Sequence, residues 1–175
     1  KETTLERCTF TENQAVGGPE VENDEAGAAG NGCGGAVFTN SRDADIRDCR
    51  FTSNLAVGGE GDTGGQGRGG ALLINSKDGD ITSTIFSGNQ AQGGVGSTLG
   101  GHAKGGAVYN AGKLDEKYAT YQENAAIGGD GDTGGNGLGG AMFHTGSSFE
   151  DEHGSFVDNQ AVGGTGSTDG SGIGG

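Results

Sequence analysis

A short phrase recurs five times in the sequence and constrains the fold more than any other feature. Its first copy, CTFTENQAVGG, occupies residues 8–18, and later copies keep an aromatic residue, an asparagine three positions on and an alanine two further. Successive copies lie 41, 35, 35 and 35 residues apart. The aromatic members are Phe10, Phe51, Phe86, Tyr121 and Phe156; the asparagines are Asn13, Asn54, Asn89, Asn124 and Asn159. Such a period predicts a repeat architecture that stacks equivalent residues.

A second signature, GGA followed by apolar residues, lies between successive copies. It begins at Gly34, Gly69, Gly105 and Gly139. Within it, alanine and the residue two positions on alternate with their neighbours at the period of two typical of a β-strand. We therefore expect these pairs to face inward and the residue between them to face outward. The pairs are Ala36 and Phe38, Ala71 and Leu73, Ala107 and Tyr109, and Ala141 and Phe143.

Short strands that recur once per unit, with glycine or asparagine at the corners, predict an all-β, right-handed parallel β-helix. No unit carries a helical apolar stripe, and helix propensity is poor throughout. We expect residues 1–175 to form a single repeat domain, with units at about 8–48, 49–83, 84–118, 119–153 and 154–175, as part of a longer array. Stacked coils would place the aromatic column inside and hydrogen-bond the asparagines to one another at a corner.

The paired motifs resemble those of a known family. The phrases FTEN, FTSN, FSGN, YQEN and FVDN, combined with GGA and an apolar residue, resemble the repeats of polymorphic outer-membrane proteins and of autotransporter adhesin passengers. The resemblance covers nearly the whole chain. It implies a β-helix that is secreted or displayed on a cell surface.

A glycine-rich stretch separates the two signatures in each unit. In GGEGDTGGQGRGGA, residues 58–71, glycine falls at every third position from Gly58 to Gly70. A period of three matches the left-handed polyproline-II helix, and its all-glycine face would let neighbouring backbones approach closely. The pattern predicts an excursion from each coil with this conformation. Flexible glycine loops are the alternative.

Composition excludes several classes of protein. The chain has 42 glycines but a single proline, and its glycine period is not continuous, so it is not collagen. A formal net charge of −14 argues against a nucleic-acid partner, whose phosphates require basic patches. No apolar run is long enough to span a membrane.

An acidic column recurs at the same interval. Asp45, Asp80, Asp115 and Glu150 are each 35 residues apart. Carboxylates stacked one coil apart repel one another unless they are solvated or bridged by a cation, and calcium favours such oxygen ligands. The column is a candidate calcium site. Since aspartate is also a common turn residue, a purely structural role is the alternative.

Two of the three cysteines share a position in the repeat. Cys8 and Cys49 each stand two residues before an aromatic member of the repeat, on adjacent units. They are candidates for a disulfide, which an exported protein would favour, or for two packed free thiols. Cys33 has no partner in register; Arg68 occupies its position in the next unit.

The sequence favours a non-catalytic function. His102, His144 and His153 fall at different positions of the repeat and share no fixed spacing with a nucleophile. We expect an extracellular or cell-surface structural or adhesive module, used in a filament or coat, whose partner is itself, another extracellular protein or a surface glycan. A calcium- or carbohydrate-binding module is the alternative, and a polysaccharide-active enzyme comes third.

Overall fold

The protein is a parallel β-solenoid of about four turns, as the repeat predicted. The computed structural model describes residues 1–21 and 28–175, and within these ranges it contains strands but no helix. Every strand pair is parallel, and equivalent residues of successive coils lie in register. The strands form five stacked sheets and one additional strand pair.

Three of the sheets hold the first half of each coil. The acidic sheet consists of Glu2–Glu6, Asp43–Arg47, Asp78–Thr82, Lys113–Lys117 and Phe149–Glu152. The phenylalanine sheet consists of Thr9–Thr11, Arg50–Thr52, Ile85–Ser87, Thr120–Gln122 and Ser155–Val157. The alanine sheet consists of Gln14–Val16, Leu55–Val57, Gln90–Gln92, Ala125–Ile127 and Gln160–Val162.

The remaining strands follow the glycine-rich excursion, which itself holds the strand pair Gly61–Thr63 and Gly96–Leu99. The return sheet consists of Gly32–Cys33, Gly67–Arg68, Ala103–Lys104, Gly137–Leu138 and Gly172–Ile173. The GGA sheet consists of Val37–Thr39, Leu72–Ile74, Val108–Asn110 and Met142–His144.

The first two corners of each coil turn through one residue with positive φ. Between the acidic and phenylalanine sheets these are Arg7, Asp48, Ser83, Tyr118 and His153, and between the phenylalanine and alanine sheets they are Glu12, Ser53, Gly88, Glu123 and Asp158. The stacked asparagines come directly after the second set. Their position at a corner is therefore as expected, although the residue that makes the turn is the one before.

The middle of the aromatic column lies in the interior as predicted, whereas Phe156 of the last coil is 45% exposed. Phe51, Phe86 and Tyr121 are fully buried, and successive rings stack with centroids 4.8–4.9 Å apart and interplanar angles of 5–10°. Ile46, Ile81, Leu72, Val108 and Leu114 complete this core, and Ala91, Ala103 and Ala126 form a second, smaller cluster. Small side chains there bring the alanine and return sheets close together.

The predicted orientation of the GGA strand was wrong. Leu72 and Val108 are fully buried, whereas Phe38 is 56% exposed and Tyr109 is partly exposed. The reason is an irregularity before each strand: two consecutive amides, such as those of Ala36 and Val37, donate to one carbonyl of the next coil. Alanine and the following residue then both face inward, and the alternation continues from there with opposite phase.

Backbone hydrogen bonds connect the glycines at which the excursions begin and end. Each excursion leaves the coil at one glycine and returns at another, and the two are hydrogen-bonded in a zigzag that climbs the solenoid. Gly59 donates to Gly30, Gly65 to Gly59, Gly94 to Gly65 and Gly101 to Gly94, all at 2.8–2.9 Å. We call this chain of bonds the glycine ladder; its members are Gly18, Gly30, Gly59, Gly65, Gly94, Gly101, Gly129, Gly135, Gly164 and Gly170. In the described residues these bonds join the glycines at the bases of the excursions, and the polyproline-II conformation of the excursions stays a prediction.

Candidate functional site

The four predicted acidic residues lie in register on the outer face of the acidic sheet. Asp45 pairs with Asp80, Asp80 with Asp115, and Asp115 with Glu150 on adjacent strands. The carboxyl of Asp80 is the one whose ionisation is disfavoured: burial, and then the charges of Asp115 and Asp45, raise its pKa. A groove of about 340 Å³ runs beside the last three members of the column.

Basic side chains of the same strands neutralise part of this charge. The Arg47 guanidinium donates from Nε to Asp45 Oδ1 at 2.6 Å and also contacts Oδ2, and the Lys113 ammonium donates to Asp115. Lys117 reaches Glu152 of the next coil at 2.8 Å. Among the described residues, no group of three or more acidic, histidine or cysteine side chains is arranged to hold a metal ion. The geometry therefore gives the calcium prediction no support beyond the register.

One carboxylate lies inside the solenoid, which the sequence analysis did not anticipate. Glu116 follows Ile46 and Ile81 in an inward-facing column, and the Tyr121 hydroxyl donates to its Oε1. Its Oε2 is buried without a hydrogen-bond partner. Burial raises the pKa of Glu116 to about 8, against a lowering effect of the Tyr121 hydrogen bond, and burial also raises the pKa of Tyr121. This pair replaces apolar contacts with a polar one in the core.

The asparagines form a ladder, as predicted. Both the backbone N–H and the side-chain Nδ2 of each residue donate to Oδ1 of the next; for Asn54 and Asn89 these distances are 3.0 and 2.9 Å. The side-chain Nδ2 also donates to a backbone carbonyl of the preceding coil. Asn89 Nδ2, for example, donates to Phe51 O at 3.0 Å. Asn54, Asn89 and Asn124 are buried. The ladder thus satisfies the corner's backbone groups and belongs to the framework of the fold.

The cysteines are free thiols in the structure. Cys8 and Cys49 are neighbours, since the Cys8 amide donates to Cys49 Sγ at 3.4 Å. Each thiol donates to a carbonyl two residues earlier, Glu6 at 3.3 Å and Arg47 at 3.2 Å. Thr84, at the same place in the next coil, does the same through its hydroxyl and accepts from the Cys49 amide at 3.3 Å. The two thiols are packed side by side, and the disulfide between them stays a prediction.

The histidines are held in separate places. His102 Nδ1 accepts from the Asn136 amide at 2.8 Å, and burial, followed by the nearby Lys104 charge, lowers the pKa of His102. His144 Nδ1 lies 2.9 Å from Asn110 Nδ2, and His153 packs edge-on against Tyr118.

Within the described part of the chain, no helix is long and apolar enough to cross a membrane.

The most distinctive outer surface was missed at the level of sequence. The column Phe38, Leu73, Tyr109 and Phe143 runs along the outside of the GGA sheet, beside Cys33, Arg68, Lys104 and Leu138 of the return sheet. Arg68 lies 6.0 Å from the centroid of the Tyr109 ring, and Lys104 Nζ lies 5.8 Å from that of Phe143. We call this surface the aromatic–basic face.

A charge pattern in the sequence marks this face. The segments that build it, residues 28–42, 64–77, 99–114, 133–149 and 170–175, contain no aspartate or glutamate, although the chain has 24. The same segments hold Arg42, Arg68, Lys77, Lys104 and Lys113, half of the ten lysines and arginines. The solenoid therefore separates its charge, with acidic surfaces on one part of each coil and an acid-free surface on another.

Comparisons with protein families, curated proteins and solved structures find no match to this chain.

Proposed function

We propose that this chain is a non-catalytic structural or adhesive module of the extracellular space or the cell surface. The supporting observation is the continuity of its interior: the asparagine ladder, the aromatic stack and the glycine ladder each pass through successive coils with the same contacts. Because outward side chains take no part in these ladders, they can vary from coil to coil, which suits a rod that displays a binding surface. The resemblance of its repeats to autotransporter adhesin passengers favours the same function.

Surface labelling tests the location. An antibody raised against the purified chain should label intact, unpermeabilised cells of the organism that produces it, or be recovered with its antigen from the medium. Labelling that requires permeabilisation would contradict the proposal. Beads coated with the chain should also adhere to such cells or their matrix more than beads coated with a soluble protein of similar negative charge.

A carbohydrate-binding function is the second candidate, and the aromatic–basic face favours it. Phe38 is 56% exposed, and exposed apolar patches bordered by polar groups commonly mark interaction sites. Sugar rings offer polarised C–H groups to aromatic faces and hydroxyl groups to amides and cations.

A further inference from the structure

The aromatic–basic face contains one gap. In the column Phe38, Leu73, Tyr109 and Phe143, the only non-aromatic member is Leu73, whose side chain lies almost level with the surface at 5% exposure. The shorter side chain leaves a slot of about 220 Å³, bordered by Phe38 and Tyr109 along the solenoid axis and by Arg68, Cys33 and Asn75 at the sides. Tyr109 and Phe143 are directly adjacent, with centroids 5.8 Å apart, so no equivalent gap separates them.

The dimensions of the slot match one saturated ring. Phe38 and Tyr109 belong to strands two coils apart, which corresponds to about 9.6 Å at the usual strand spacing. A puckered ring in van der Waals contact with an aromatic ring on each side, at about 4 Å from each, fills that distance. Leu73 supplies an apolar floor.

The charge around the slot selects an anion. Arg68 donates from Nε and Nη2 to Gln66 Oε1 at 3.2 and 3.1 Å, which fixes the guanidinium and leaves Nη1 available. No carboxylate of the described residues forms an ion pair with Arg68. Burial raises the pKa of Cys33, so this thiol adds no negative charge to the site. A ligand carboxylate is the natural partner for such a guanidinium.

From these observations we propose that the slot binds a single uronic acid residue of an acidic polysaccharide. The sugar ring lies between Phe38 and Tyr109, its carboxylate pairs with Arg68, and its hydroxyls reach the Asn75 amide. The inference rests on the proposed adhesive function in that it names the partner of a surface module. The acidic surfaces elsewhere are largely screened at physiological salt, where the Debye length is about 8 Å.

Titration calorimetry with a short oligogalacturonide tests the inference, and its fully methyl-esterified form is the neutral control. We expect the acidic form to bind at least ten times more tightly than the ester. Arg68→Gln should reduce the affinity for the acid to that for the ester. Arg50→Gln removes the same charge at an exposed position of the phenylalanine sheet, outside the aromatic–basic face, and should leave the affinity within about twofold of the unmodified chain.

A variant that fills the slot separates binding from folding. Leu73→Phe makes the outer column fully aromatic; it should keep the circular dichroism spectrum and thermal midpoint of the parent while abolishing binding of the oligogalacturonide. Absence of binding by the parent chain, equal affinity for acid and ester, or equal losses in Arg68→Gln and Arg50→Gln would each overturn the proposal. Self-association that Leu73→Phe abolishes would assign the slot to a second copy instead. None of these outcomes depends on where the protein resides, so a failure here is distinguishable from a failure of the surface labelling.

Discussion

Individual glycines in this chain are required by space rather than by backbone angle. Members of the glycine ladder do not have positive φ, yet a Cβ on most of them would collide with a backbone carbonyl of a neighbouring coil. Positive φ is confined to glycines such as Gly69 and Gly105, which begin the GGA signature, and to a few others. The glycines at every third position of the excursion have the same cause at Gly58, Gly64, Gly67 and Gly70, where a Cβ would collide with backbone atoms, whereas a Cβ at Gly61 would meet the Glu20 side chain.

Gly59→Ala tests this requirement. A Cβ at Gly59 would lie closer to Gly18 O than real Cβ atoms come, with only backbone atoms available to move, whereas a Cβ at Gly18 meets nothing within 4 Å. We expect Gly59→Ala to lower the free energy of unfolding by at least 1–3 kcal/mol, the usual cost of overpacking. Gly18→Ala, the matched control on the adjacent coil, should have little effect. Urea denaturation measures the free energy of unfolding of both variants. An equally small change in the two would show that the ladder tolerates side chains.

Residue spacing was sufficient to predict the columns but not the orientation of every strand. The 35-residue interval placed Phe86 above Phe51 and Asn89 above Asn54 because solenoid coils stack equivalent residues. The sequence predicted that Val108 faces outward, which was wrong. The amides of Ala107 and Val108 both donate to the Ala141 carbonyl, and this irregularity, which side-chain types do not encode, reverses the inward and outward alternation of the strand. Glu116 was missed since one acidic residue in an apolar column has no periodic signal. The aromatic–basic face did have one, the absence of acidic residues from a fixed part of each unit.

At the level of elements, we expect the asparagine ladder to be sensitive to a single change, because its members bond to one another and to the backbone in the interior. Asn89→Ala removes the acceptor for two donors of Asn54 and the donor to Phe51 O, all buried. We expect a loss of about 2–4 kcal/mol, since unsatisfied buried polar groups cost about 1–3 kcal/mol each. Asn75→Ala, at an exposed asparagine, should cost less than about 0.5 kcal/mol. Similar unfolding midpoints for the two variants would show that the ladder adds no stability.

The buried Glu116 side chain should make the stability of the solenoid depend on pH. Because its pKa rises from 4.5 to about 8 on folding, the folded state holds the proton more tightly than the unfolded state. This contribution to stability is complete below pH 4.5, decreases as the pH rises and is lost above about pH 8, with a total on the order of a few kcal/mol. Glu116→Gln should flatten this part of the profile and make the protein more stable than the parent at alkaline pH.

Urea denaturation across this pH range checks the expectation. Glu60→Gln, at an exposed glutamate, should leave the profile parallel to that of the parent. If the free energy of unfolding of Glu116→Gln varied with pH as it does in the parent, groups other than Glu116 would cause the pH dependence.

At the level of the whole molecule, stability should be divided among coils. Contacts are made between neighbouring coils, as expected of a solenoid whose stability is a sum of units and interfaces. The third coil has one additional residue at Leu99, which takes the place that Thr63, Thr133 and Thr168 hold in other excursions, and it recovers the register by Lys113. Each coil is consequently an interchangeable unit of 35 residues where the spacing is regular.

Deletion of residues 84–118 removes one such unit and joins Ser83 to Ala119. Ser83 and Tyr118 occupy the same positive-φ corner, so the joined chain keeps its register. We expect a folded, shorter solenoid with an unchanged circular dichroism spectrum per residue and a lower unfolding free energy. Deletion of 84–101 alone joins unlike parts of a coil and should prevent cooperative folding. Loss of structure in both deletions would contradict the modular interpretation.

The interior ring stack also has an optical consequence. Phe10, Phe51, Phe86 and Phe156 are arranged in one column with Tyr121, each ring 4.8–4.9 Å from the next and nearly parallel to it. Tyrosine has a lower excited-state energy than phenylalanine, so excitation absorbed anywhere in the stack should migrate to Tyr121. The chain contains no tryptophan to intercept it. Light absorbed by phenylalanine should thus emerge as tyrosine fluorescence, and Tyr121→Phe should restore the phenylalanine emission that the folded column otherwise suppresses.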